Sequence, residues 1–117
     1  MVIQKFEDII AWQKAQDLAV DVLTEFDDLK NFGFRTQICN AVVSISNNIA
    51  EGFDRSSDAD FSRFLYIALG SASETKSMLY LAERVEYIDN NKKQRFVEQS
   101  DEVSRIIRGL IKSLSKK

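Results

Sequence analysis

The side chains able to do chemistry in this 117-residue sequence are few, and their types restrict the reactions open to it. There is no histidine, which removes the usual general base, Ser-His triads and histidine-containing metal sites. Di-iron bundles use Glu-x-x-His pairs, so that chemistry is excluded as well. Glu51 and Glu74 could approach each other, but no partner acid, base or metal set accompanies them. No catalytic residue, metal or cofactor is therefore expected. The single cysteine, Cys39, rules out an internal disulfide framework and has no histidine to act as its base, so it reads as a packing residue. The glycines at 33, 52, 70 and 109 are isolated, so no glycine-rich phosphate loop is present. Gly52 is expected to end a helix, and Gly70 and Gly109 to allow close helix approach.

Cations and aromatics offer binding rather than catalysis. Arg105, Arg108 and Lys112 form one helical stripe with Lys116 in a C-terminal stretch that contains no acid, while residues 1–30 carry seven acids against three lysines. The stripe is either a solvated face using the cation preference of a helix C-terminus, or a contact for phosphate or another acidic surface. Tyr66, Tyr80 and Tyr87 lie at heptad-compatible positions opposite a main apolar arc. Surface packing, an oligomer interface and base stacking are all open to them. The net charge of −2 excludes indiscriminate nucleic-acid binding through bulk charge.

A third group is polar and set beside a core. Gln37, Asn40, Ser44, Asn48, Glu51 and Arg55 project within about 40° of one direction if they share a helix. Val43 and Ala50 lie on the far side and are candidates for a subunit contact. Ser71, Glu74 and Thr75 interrupt an apolar arc later in the chain. The polar line is either satisfied by neighbouring helices or is an interaction site. Because a lone buried charge is costly, Glu74 is expected to meet Arg35, Arg55 or the Asn48 amide.

These groups need elements to hold them, and the apolar periodicity supplies four. Segments at about 7–27, 34–53, 58–88 and 91–115 each repeat apolar residues at helical spacing. The absence of proline and the 44% hydrophobic content suit long helices in a globular chain. Asp27 to Gly33 supplies a break, Ser57-Asp58-Ala59-Asp60 resembles a capping box, and Asp89-Asn90-Asn91 turns the chain. The expectation is one all-α domain, an antiparallel up-down-up-down four-helix bundle. No membrane span or signal peptide is read from the sequence, so a cytoplasmic location is expected.

The run Ser44-Ile45-Ser46-Asn47-Asn48-Ile49-Ala50-Glu51-Gly52 resembles the S-I-x-x-N-I-A-E-G signature of small bacterial four-helix-bundle proteins encoded within intervening sequences of 23S ribosomal RNA genes. The resemblance extends to Phe6-Glu7-Asp8-Ile9, Trp12-Gln13-Lys14-Ala15, Arg55-Ser56, Arg63-Phe64-Leu65, Gly70-Ser71 and Glu74. It implies a ring-like homo-oligomer, a homopentamer, and an association with ribosomal RNA or ribosomes. The family commonly carries basic residues where Cys39-Asn40 stand, and often proline where Ser46 stands.

The expected function is a non-enzymatic oligomeric scaffold or interaction module associated with ribosomal RNA or another structured nucleic acid. Arg35, Arg55, Arg63, Arg105, Arg108 and Lys112 are its candidate phosphate contacts. Gln37, Ser44, Asn48, Glu51, Ser71 and Glu74 form its polar cluster, and Val43, Ala50, Tyr66, Tyr80 and Tyr87 its candidate oligomer contacts. The alternative is a module that binds only protein. No membrane and no small-molecule substrate is expected as a partner.

Overall fold

Apolar stripes at helical spacing become four helices in the computed structural model, which describes residues 3–115. They are α1 (Ile10–Glu25), α2 (Phe32–Phe53), α3 (Asp58–Arg84) and α4 (Asn90–Ser115), preceded by a 3-10 turn at Phe6–Asp8. No strand occurs among the described residues. Each helix packs on two neighbours, α2 most extensively on α3, in a body of 46 × 22 × 19 Å. Phe26, Phe96, Leu18, Ile38, Ile45, Ile49, Leu65, Leu79 and Ile107 are fully buried between them. Leu23 and Val85 fall on the apolar arcs of their segments at helical spacing but are exposed, while Ala11 and Leu18 join the buried stripe of Ala15 and Val22.

Several boundaries differ from the sequence expectation. The first helix starts at Ile10 because Ile9 is extended (φ −76°, ψ 120°) and folds its side chain into the core. The second begins at Phe32, before Gly33, because the Asn31 carboxamide oxygen accepts from the Phe34 N–H at 3.0 Å. The third begins where its Ser57 cap accepts from the Asp60 N–H at 3.1 Å, but ends at Arg84 rather than 88.

That early end is a Schellman turn: the Tyr87 N–H donates to the Ala82 carbonyl (2.8 Å) and the Glu86 N–H to that of Glu83 (3.0 Å). The left-handed position belongs to Glu86, at φ 64°. Glycine adopts this conformation with no Cβ penalty. Glu86→Gly is accordingly expected to stabilise the protein by about 1 kcal/mol, seen as a higher urea midpoint at unchanged slope. The turn leads Tyr87 off the helix and onto Phe34, with ring centroids 5.1 Å apart and its hydroxyl accepting from the Asn31 amide at 3.0 Å.

Candidate functional site

The polar line of α2 is a seam against α3. Ser44 Oγ accepts from Ser71 Oγ at 2.9 Å and from Asn48 Nδ2 at 2.8 Å, and Asn48 also donates to the Ser44 carbonyl. Buried Thr75 donates to the Ser71 carbonyl at 2.9 Å. Ser44, Asn48, Ser71 and Thr75 are thus brought together. Each hydrogen bond of this kind contributes on the order of 1 kcal/mol net, so the seam fixes register more than it adds stability.

The rest of the expected cluster lies outside this seam. Glu74 is exposed and takes a long contact of 3.5 Å from Gln37 Nε2, so its partner is none of Arg35, Arg55 or Asn48. The side chain stands at the outer edge of α3, where water relieves the desolvation that was expected to demand a cation. Glu51 pairs instead with Arg55 at 2.6 Å, so the two carboxylates have separate partners. Among the described residues, no three His, Cys, Asp or Glu side chains gather as a metal-ion site.

The signature run is built for packing. Ile45 and Ile49 are fully buried. Ser46 is also buried, and its hydroxyl accepts from Gln16 Nε2 of α1 at 3.0 Å, a link with no counterpart in the sequence reading. Gly52 lies inside α2, and a Cβ there would fall 2.6 Å from Phe64 Cβ and 3.0 Å from Phe61 Cδ1. Gly70 and Gly109, expected at close approaches, face open space. Val43 and Ala50 are half-buried, Val43 against the core. Burial pushes the Cys39 thiol above its ordinary pKa, against the opposing pull of Arg35, which keeps it protonated and poorly nucleophilic at neutral pH.

The six candidate cations separate into groups. Arg35 donates to the Asp27 carbonyl at 3.0 Å and lies 4.4 Å over the Phe32 ring, near the start of α2. Arg55 and Arg63 sit at the other end of the α2–α3 pair. Both stack on Phe64, and each is paired with its own acid, Glu51 and Asp60 respectively. Arg105, Arg108 and Lys112 are exposed on α4 and make no ion pair among the described residues. Lys116 lies outside the described residues.

Beside this stripe, Lys76 of α3 bonds Asp101 of α4 at 2.8 Å. That bond and the Asp101 charge raise the Lys76 pKa, while the nearby Arg108 charge opposes the rise. Asp101 and Glu102, the acids that precede Arg105 on α4, are each matched by a cation from another helix, Lys76 and Lys14 respectively.

Four helices, two of them joined by a small-residue polar seam, define an all-α bundle whose α4 carries three cations without an ion pair among the described residues. The chain belongs to the 23S rRNA-intervening sequence protein family, which it matches over residues 7–109. It is similar to the crystal structure of a protein of unknown function from the S23 ribosomal protein family of Bacteroides thetaiotaomicron. The TM-score is 0.82 at 31% identity, over 88% of this chain and 99% of that one. No curated protein matches the chain. Among the described residues, no helix is long and apolar enough to cross a membrane.

Proposed function

We propose that the protein is a non-enzymatic, cytoplasmic, homo-oligomeric bundle that contacts ribosomal or other structured RNA through Arg105, Arg108 and Lys112. The observation that carries this reading is that these three cations are exposed and unpaired among the described residues, whereas Arg55 and Arg63 are neutralised by adjacent acids. Three unpaired charges on about two turns of helix suit a run of backbone phosphates. The signature residues are occupied in holding helices together, which favours a structural role over catalysis.

An antiparallel up-down-up-down course is supported by the order of α3–α4 contacts. Ala72 meets Ser100, whereas Glu83, later on α3, meets Asn90 and Lys93, earlier on α4. Exposed Ile10 and Val20 on α1, and Ile67 and Leu81 on α3 with Val85 at its C-cap, support self-assembly. Two unlike apolar faces suit the heterologous contact that closes a ring, as a homopentamer requires.

The alternative is a protein-only module, favoured by the net charge of −2. Replacing Arg105, Arg108 and Lys112 together with Glu separates the two. The RNA reading expects loss of binding to a transcript of structured 23S RNA, with oligomer mass by light scattering and thermal unfolding unchanged. Undiminished RNA affinity in that variant would leave the protein-only module standing.

A further inference from the structure

We propose that the α3–α4 face takes single-stranded rather than duplex RNA, with the Tyr66 ring stacking an unpaired base beside phosphates held by Arg105, Arg108 and Lys112. This rests on the RNA reading above and adds to it the strandedness of the ligand and the residue that selects it.

The three tyrosines have different surroundings. Tyr87 is packed on Phe34 and hydrogen-bonded to Asn31. Tyr80 has the Lys93 ammonium 4.7 Å from its ring centroid, so a cation already covers one face. Tyr66 is 60% exposed, with no ring or cation contact among the described residues.

Register places Tyr66 with the cations. Ala72 is bonded to Ser100 and Lys76 to Asp101. Counting back along α3 from those two pairs brings Tyr66 level with about residues 106–111 of α4, within one turn of Arg108 and Lys112. Its projection also separates it by about 60–100° from Ile67, Leu81 and Val85, the apolar side chains read above as a self-contact. Tyr66 projects about 40° from Tyr80 and about 80° from Lys76, which contact Lys93 and Asp101 of α4, and so lies on the α4 side of that apolar strip.

A duplex offers this face phosphates and hydroxyls but keeps its base faces stacked inside. A single strand offers both phosphates and free π-faces, and an exposed aromatic ring next to a cationic track fits that combination. Charge complementarity selects a polyanion, and the free ring selects one with unstacked bases.

The test measures binding of the full-length protein to a short uridine oligoribonucleotide and to an RNA duplex of equal length. Wild type is expected to prefer the single strand. Tyr66→Leu, which keeps apolar bulk but removes the ring, is expected to lose about 5- to 150-fold in single-strand affinity, with its salt dependence unchanged. Tyr66→Phe should restore the preference.

Equal affinity of wild type and Tyr66→Leu for the single strand would overturn the proposal while leaving the RNA reading intact. A change in oligomer mass on Tyr66→Leu would also overturn it, by assigning the ring to a contact between copies. Binding of neither probe by wild type would overturn the proposal, and failure to bind the structured 23S RNA transcript as well would defeat the RNA reading itself.

Discussion

Phe96→Ala is expected to destabilise the protein by about 3–5 kcal/mol, the largest loss from any single truncation considered. The ring has no exposed surface and belongs to the continuous core shared by all four helices. Its removal loses the transfer free energy of an aromatic side chain and leaves a cavity that rigid neighbouring helices fill only in part. Against a total stability on the order of 5–15 kcal/mol, the change takes a large share. Urea unfolding at fixed protein concentration measures it. Leu110→Ala is the internal comparison. Leu110 reads from the sequence as a central core residue, but it is half-buried, so its truncation should cost clearly less. Equal effects at 96 and 110 would contradict this description of the core.

Gly52→Val is the second large effect, expected to cost about 3 kcal/mol. The Cβ that any other residue adds meets Phe64 Cβ at 2.6 Å, an atom fixed to the backbone of α3, so relief requires the helices to separate. Valine adds two further methyl groups at the same place. Helix propensity acts in the opposite direction, since glycine is about 1 kcal/mol poorer than alanine in a helix interior. The sign of a substitution therefore reports which effect wins. At Gly70 and Gly109, where nothing lies within 4 Å, alanine should stabilise by about 0.5–1 kcal/mol. Thermal unfolding of the Gly52→Val, Gly70→Ala and Gly109→Ala proteins should show one fall and two rises.

The close approach was expected at Gly70 and Gly109 but falls at Gly52, and the phase of each glycine on its helix explains the reversal. Gly52 follows Ile45 and Ile49 on the buried stripe at i+7 and i+3, while Gly70 lies opposite the arc of Leu65, Ala68 and Ala72. Periodicity reveals that difference, whereas residue type alone does not. Four helices and most core positions were legible for the same reason. Arg55 with Glu51 and Arg63 with Asp60 are i, i+4 and i, i+3 neighbours, but local spacing alone does not separate the cations, because Arg105 has Asp101 and Glu102 at the same separations and pairs with neither.

Other features could not be read from one strand of text. The end of α3 is hidden because Glu86 occupies a left-handed position that sequence rules reserve for glycine. The Gln37–Glu74 contact and the Gln16–Ser46 bond depend on how far one helix slides along its neighbour. Local spacing carries no such information. The Ser44–Asn48–Ser71 seam lies between these cases, since these residues were expected in one polar cluster but the hydrogen bonds among them were not.

The claim that most needs testing is that the α4 face meets RNA through three charges. The direct measurement is the affinity of the wild-type protein for a structured 23S RNA fragment over a range of monovalent salt. Neutralising three phosphates predicts that log K falls against log salt with a slope of about −2 to −3, and that the Arg105, Arg108 and Lys112 triple variant loses most of that slope. A wild-type affinity that does not change with salt, or a slope that survives removal of those three side chains, would contradict the account.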